Sequence, residues 1–402
     1  MSRALALAAV VGAVALAIVA VQLASPAASA PSTARLTVSS QLPAWVAPGV
    51  RVALSGFAGG DRPVRVLVRG STAARTTSGT LGRFHLHFAA PRPGRYAISV
   101  ESDGRVKRVG TLTTRAVTLA AVGDMTSGEQ VGASVSTLGA AYSWGSVGSL
   151  LRKADLATAN LEGSISSRGY PVPNKEFHFR GPPSLLGAAH AAGGLDVVTV
   201  ANNHSGDFGS EALLDTVRFA RAAGLLVVGG GANAGAAVRP AITTVGGLRV
   251  AFVGFSDVNP YGFNAGLRTP GTASADPAVV AAAVRSARHR ADIVVCWFHW
   301  GTELHPEPSS RQRELAATAL RAGAQVVLGA HPHVFGGVET AARRSVVAWT
   351  LGNFVFPAHS ANTSRTGILM VNLDRHGVRG WRVVHATIQG FRPVLDPRPA
   401  SN

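Results

Sequence analysis

Val197-Val198-Thr199-Val200-Ala201-Asn202-Asn203-His204-Ser205-Gly206-Asp207 sets five apolar or β-branched residues directly against six polar or small ones. The first half is short, uninterrupted and β-branched, which predicts a strand buried on both faces. In open α/β sheets, chemistry collects in the loops after the carboxyl ends of such strands, so an abrupt polar end marks a candidate site. The pattern recurs four times. Gly123-Asp124-Met125-Thr126 ends Val117 to Val122, and Asn160-Leu161-Glu162-Gly163 follows Asp155 to Ala159. His299-Trp300-Gly301-Thr302-Glu303 ends Ile293 to Phe298, and Gly329-Ala330-His331-Pro332-His333 ends Val326 to Leu328.

Helical patterns at Glu211 to Ala223, Asp276 to Arg288 and Ser309 to Ala322 alternate with these strands and with others at Leu225 to Val228, Val250 to Phe255 and Val346 to Trp349. That alternation predicts an α/β domain over residues 116–392. After Thr366 the alternating segments Gly367 to Leu373 and Trp381 to Ile388 point to a mixed or two-sheet core, and residues 393–402 read as a tail. Upstream, residues 31–115 follow a different grammar: Arg35 to Val38, Val50 to Leu54, Val64 to Val68, Phe84 to Phe88 and Tyr96 to Val100 alternate with period two between Gly and Pro turns. This predicts a small all-β, Ig-like sandwich with Arg65, Arg69, His85 and His87 on a solvated face.

With 402 residues, 47% hydrophobic and 15% charged, the chain can bury a core and is not disordered. Its net charge of +17 favours polyanions such as extracellular wall or capsule polymers. The arginines are scattered singly, with no basic run and no interleaved aromatics, which argues against nucleic acid. The single cysteine, Cys296, lies inside an apolar run, so no intrachain disulfide forms and the thiol reads as a small buried hydrophobe. Residues 1–30 carry Arg3, an apolar stretch from Ala4 to about Leu23, and Ala28-Ser29-Ala30, the three parts of a secretory signal cleaved after Ala30. Left uncleaved, residues 4–23 would serve as a membrane anchor. Either outcome places the remainder outside the cytoplasm, secreted or at the outer face of the membrane.

Taken singly, each polar cluster also fits a cap or a turn. Taken together they supply carboxylates, an amide and four imidazoles, each group ending a different strand. That donor set suits one or two divalent ions such as Mn, Fe or Zn.

The ordered motifs GDMT, NLEG, ANNHSGDFG, HWGTE and GAHPHV, closed by Leu351-Gly352-Asn353-Phe354-Val355-Phe356, resemble the CapA family of capsular poly-γ-glutamate synthesis. That family is similar to the calcineurin-like metallophosphatases, four-layer α/β/β/α sandwiches with a two-metal centre. The resemblance implies that Asp124 and His333 ligate one metal, that Glu162 bridges the pair, and that Asn203, His299 and His331 hold the other. His204 would be the catalytic acid facing the leaving group. Two positions depart from the metallophosphatase pattern: Thr126 stands where a histidine is usual, and the bridging carboxylate is Glu162 rather than an aspartate. Glu303 is the candidate that compensates for the missing imidazole. Asp207 and Asn353 read as loop-fixing residues, with Asp207 a partner for an imidazole.

The implied chemistry is metal-dependent hydrolysis of a phosphoester or of an amide in an anionic polymer. Arg180, in Phe177-His178-Phe179-Arg180-Gly181, is either a substrate-binding residue for an anionic group or a solvated loop arginine. The alternative function is a non-catalytic component that binds and exports the polymer on a degenerate metallophosphatase scaffold.

Overall fold

The computed structural model describes residues 35–397; the expected signal or anchor and residues 398–402 lie outside them. Seven strands come first: β1 (Thr37–Val38), β2 (Arg51–Phe57), β3 (Pro63–Val68), β4 (Ser71–Thr77), β5 (Arg83–Ala89), β6 (Gly94–Ser102) and β7 (Arg105–Thr114). They form a three-stranded sheet, β1-β2-β5, and a four-stranded one, β4-β3-β6-β7. The alternation seen in the sequence sets the faces. Phe84, Leu86 and Phe88 of β5 are buried while Arg83, His85 and His87 are exposed. Two strands, β4 and β7, escape a hydrophobicity reading. Ser71–Thr77 holds only Ser, Thr, Ala and one Arg, and the first four residues of β7 are exposed, so neither presents an apolar stripe.

The remaining chain runs β8 (Val117–Thr126), α1 (Glu129–Leu138), α2 (Gly148–Leu151), β9 (Leu156–Glu162), β10 (Ser164–Ile165), β11 (Arg180–Gly181), α3 (Ser184–Ala191), β12 (Val197–Thr199) and α4 (Gly209–Ala222). It continues through β13 (Leu226–Val228), β14 (Gly230–Gly231), α5 (Ala234–Ala237), β15 (Ala241–Val245), β16 (Leu248–Ser256), β17 (Gly271–Thr272), α6 (Pro277–Arg290), β18 (Ile293–His299) and α7 (Ser310–Ala322). Last come β19 (Val326–Ala330), β20 (Val338–Ala341), β21 (Ser345–Ala348), β22 (Asn353–Val355), α8 (Ala361–Ser364), β23 (Arg365–Asp374), β24 (Gly377–Gln389) and β25 (Arg392–Leu395). β25 pairs with β24, so ordered structure continues into the segment that reads as a tail; two prolines in Arg392-Pro393-Val394-Leu395-Asp396-Pro397 hide the strand, and an edge position tolerates them.

Two large sheets result. One has eight strands in the order β13-β12-β9-β8-β23-β24-β25, with β22 also on β8; the other has six, β15-β16-β18-β19-β21-β20. β8, β9, β12 and β13 run parallel, as do β16, β18, β19 and β21. Strand residues buried on both faces divide between clusters by parity. Leu119, Ala121 and Leu156 meet Phe252, Val295, Trp297 and Leu328 between the sheets. On the far face of the first sheet, Ala120, Val122 and Val198 pack against Leu186, Leu213 and Val217 from α3 and α4. On the far face of the second, Val253, Val294 and Cys296 pack against Val280 and Val284 of α6 and Leu315 of α7. Trp297 fastens the two sheets, its Nε1 donating to Thr158 Oγ1 at 3.0 Å.

The first seven strands close over the amino ends of this assembly. Ala47 N donates to Gly246 O (2.8 Å) in the turn before β16, and Arg375 N, in the β23–β24 turn, donates to Pro48 O (3.2 Å). Gly246 has φ +53°, and a Cβ there would fall 2.2 Å from the Trp45 ring, so only glycine permits this approach. Arg115 clamps the junction. It donates twice to Asp155 at 2.6 Å and lies 3.5 Å from the centre of the Trp45 ring.

Candidate metal centre

The polar clusters meet at the opposite, carboxyl ends of the strands. β8 delivers Asp124, β9 delivers Asn160 and Glu162, the loop after β12 delivers Asn202 to Asp207, β18 delivers His299, and the loop after β19 delivers His331 and His333. The approach is tight. A Cβ on Gly123 would lie 1.8 Å from Gly352 O, and that same carbonyl accepts from Asp124 N at 2.8 Å. This contact brings Asn353 beside Asp124 in the β22–β8 pairing.

Asp124 and Glu162 are both fully buried. Asn160 Nδ2 reaches Asp124 Oδ1 (2.8 Å), Glu162 Oε2 (3.4 Å) and His299 Nδ1 (3.3 Å), and its own Oδ1 accepts from Asn202 Nδ2 at 3.0 Å. Glu162 Oε1 lies 3.7 Å from His333 Nε2 and 3.8 Å from His204 Nε2 and has no hydrogen-bond partner. His299 Nε2 is 2.8 Å from Asn203 Oδ1. His331 and His333 adopt left-handed backbone, φ +96° and +57°, on either side of Pro332. Strain of this kind costs on the order of 1–3 kcal/mol per residue and persists where the surroundings enforce it. For His333 one restraint is Asn353 Oδ1, 2.8 Å from Nδ1.

Electrostatics follow from burial. Desolvation raises the Asp124 carboxyl above the usual range, and raises that of Glu162 much further with the Asp124 charge beside it. The same burial holds His299 far below a free imidazole, and takes His331 down to about 3 with His333 and His204 as like-charged neighbours. The imidazoles therefore stay neutral and keep a free lone pair, while two carboxyls crowd into one dry site. A divalent cation would satisfy such a set.

The donor atoms fall into two groups, Asp124, Glu162 and His299 in one and Glu303, His331 and His333 in the other, each within 4.8 Å. Glu162 Oε1 and His331 Nδ1, both buried and unpartnered, are the atoms a divalent ion would satisfy. Glu303 is exposed on the outer side of the second group.

A second cluster stands beside these donors. His204 Nδ1 lies 2.9 Å from Asp207 Oδ2 and 2.7 Å from Lys175 Nζ, and Lys175 also donates to Asp207 Oδ1. Phe179 stacks on the His204 ring at 4.1 Å, and its N donates to Asp207 Oδ2 at 2.7 Å. Burial lowers His204, with Asp207 opposing, and lowers Lys175 in the same way. Sequence reasoning missed Lys175 and the threefold contact of Asn160. Lys175 sits in an aperiodic loop, Pro173-Asn174-Lys175-Glu176, and its one signal was adjacency to the Phe177 to Gly181 segment. Arg180 is not among the clustered donors. Its guanidinium donates to Arg168 O (2.7 Å) and Gly169 O (3.0 Å) and lies 3.5 Å from the Phe208 ring centre. Thr126 Oγ1 accepts from Gly128 N at 3.1 Å and starts the turn into α1.

The family described as bacterial capsule synthesis protein PGA_cap matches residues 118–358, a span holding every donor above. The chain belongs to this family. Among PGA_cap relatives, it is 30% identical over 301 residues to the PGA biosynthesis protein CapA of Bacillus subtilis, covering 74% of this chain and 79% of that one. It is 31% identical over 284 residues to the capsule biosynthesis protein CapA of Bacillus anthracis, covering 69% of each. Among solved structures, a phosphatase from Mycoplasma pneumoniae aligns with a TM-score of 0.44 and 13% identity, over 70% of this chain and 95% of that one.

Proposed function

We propose that this PGA_cap protein is a divalent-metal-dependent hydrolase acting outside the cytoplasm on an anionic substrate of capsule, poly-γ-glutamate or envelope polymer synthesis. One observation carries the reading: two buried carboxyls and neutral imidazoles converge on atoms, Glu162 Oε1 and His331 Nδ1, that have no protein partner. Asp124, Glu162, Asn203, His299, His331 and His333 would hold one or two ions of the Mn, Fe or Zn kind, with Glu303 closing the position left by Thr126. The layering of helices, two sheets and helices supports a four-layer metallophosphatase-like sandwich preceded by an Ig-like unit at 31–115. Residues 1–30 would export the chain, or anchor it through 4–23.

When bound, the ions would lower the pKa of a water and neutralise charge on a phosphoryl or carboxylate oxygen. The chain's own residues would manage the proton. With Nδ1 accepting from Lys175, His204 would carry its ring proton on Nε2, the nitrogen facing Glu162 and the site. As Nε2 protonates the leaving group, Lys175 would pass a proton to Nδ1 and become neutral, with Asp207, which accepts from Lys175, holding the pair in place. His204→Ala is the test: purified protein should keep its metal and lose turnover of phosphoester or γ-glutamyl substrates. Wild-type protein that is metal-free and inert would reject the reading.

The second reading, a polymer-binding or export component without catalysis, draws support from Thr126, which denies the first metal its usual imidazole. Metal-free wild-type protein that still retains poly-γ-glutamate on a column would favour it.

A further inference from the structure

The cationic excess is not evenly spread. Residues 35–115 hold 13 Lys and Arg against 3 Asp and Glu, a net +10, whereas residues 116–402 hold 24 against 18, a net +6. Within that first segment the few acids are largely spent: Glu101 pairs with Arg65, and Asp103 with Arg62 at 3.3 Å. Both lie on β6 or in the β6–β7 turn. The strands β1, β2 and β5 carry no acidic residue at all.

That three-stranded sheet turns Arg51 of β2 and Arg83, His85 and His87 of β5 outward, and the inward positions Val52, Leu54, Phe84, Leu86 and Phe88 are buried. Register sets Ala53 opposite His87 and Ser55 opposite His85, so the residues facing the imidazoles across the strands are small. Arg83, His85 and His87 recur at every second position, about 6.6 Å apart along β5. The result is a flat row of cationic and hydrogen-bonding groups with no acid to neutralise it. Its stem residues are rigid because each alternates with a buried anchor.

We propose that the outer face of β1-β2-β5 binds an extended polycarboxylate, a linear polymer of the poly-glutamate class, and tethers it to this protein. Charge complementarity selects a polyanion. The one exposed phenyl ring that β1, β2 and β5 turn outward is Phe57, opposite Arg83, too little for a run of stacked bases, which favours a carboxylate polymer over nucleic acid. The assignment rests on the family's link to that polymer and not on hydrolysis.

Position adds a further consequence. The seven strands cover the amino ends of the large sheets, and Val117 to Asp124 alone spans about 23 Å at some 3.3 Å per residue. A polymer held on this face reaches the metal centre only if it is longer than that span. Bound polymer and attacked bond are thus separate stretches of one molecule.

The full chain should be titrated with fluorescent poly-γ-glutamate at low and moderate salt, beside an Arg51→Ser, Arg83→Ser, His85→Ser, His87→Ser variant. These exposed substitutions leave the buried anchors intact, and an unchanged melting temperature certifies folding. Affinity is expected to fall about tenfold, with a shallower salt dependence because fewer counterions are released. Two arginines should also be removed from an outer helix, as Arg285→Ser, Arg290→Ser, matching the two arginines lost from the sheet, with little effect. Unchanged binding by the first variant overturns the proposal, as does an equal loss in both. Duplex DNA that competes as well as the polymer overturns the choice of ligand. Because binding is read without turnover or metal, failure of the hydrolase reading leaves this result standing, and the converse holds too.

Discussion

At the amino ends of β8, β9 and β16 the polar groups are paired: Arg115 with Asp155, Ala47 with Gly246, Arg375 with Pro48. At the carboxyl ends of those same strands, Glu162 Oε1 and His331 Nδ1 have no partner, and two histidines stand in left-handed backbone. One end is closed by protein, and the other is held open by it. The difference teaches that burial alone does not mark a site. Asp155 and Glu162 both border β9, yet only the second is surrounded by groups that compete for the same missing charge.

The contrast breaks most directly if the metal donors prove dispensable. Asp124→Ala combined with His331→Ala should reduce bound metal from about one or two equivalents to background, read by elemental analysis; metal retained in that double mutant would mean the cluster is not the site. Lys175→Met probes the proton path. Turnover should drop about a hundredfold or more with metal content unchanged, and the pH–rate profile should lose a limb. A drop in both metal and rate would instead mark Lys175 as scaffold.

Asn353→Ala leaves His333 without its Nδ1 partner and should weaken metal binding about 10- to 100-fold in a chelator competition. The pH dependence has a definite sign. Burial keeps the Glu162 carboxyl protonated where a free glutamate has ionised, so an incoming ion must displace that proton. Metal affinity should therefore climb as pH rises above the range in which a free glutamate ionises, with protons released in calorimetry. His299 and His331 are already neutral across that range and add no slope. At the closed end the expected effect is smallest. Arg115→Ala should cost no more than about 1 kcal/mol of stability in denaturant melts and leave metal affinity unchanged, since its ion pair is partly exposed.

Much of this was legible in the chain because burial writes itself as runs. Strands flanked by helices gave their positions away, and the helical patterns at Asp276 to Arg288 and Ser309 to Ala322 begin at the residues that cap α6 and α7 in the structure. The site donors were legible because each interrupts an apolar run at its end. Lys175 was not, since a side chain that reaches a cluster from an irregular loop leaves no period to detect. Nor could spacing show that Arg180 turns to Phe208 and two carbonyls, because that choice is made by neighbours some ten to thirty residues away. The edge strands β4 and β25 were hidden for a related reason: an edge tolerates polar and proline residues that a central strand would reject.

The strand carrying Asp124 has a history as well as a place. β8 lies between β9, which follows it closely in the chain, and β23, which ends at Asp374. In a chain made from its first residue onward, the early hairpin-rich strands can fold from local contacts, while β8 keeps an open edge until more than two hundred further residues have arrived. The last candidate donors, His331 and His333, come almost as late. A product truncated before β22 would therefore present a bare apolar edge in place of a finished pocket, and such edges recruit other chains. The order of synthesis thus sets the candidate donors in place shortly before the strands that cover the β8 edge.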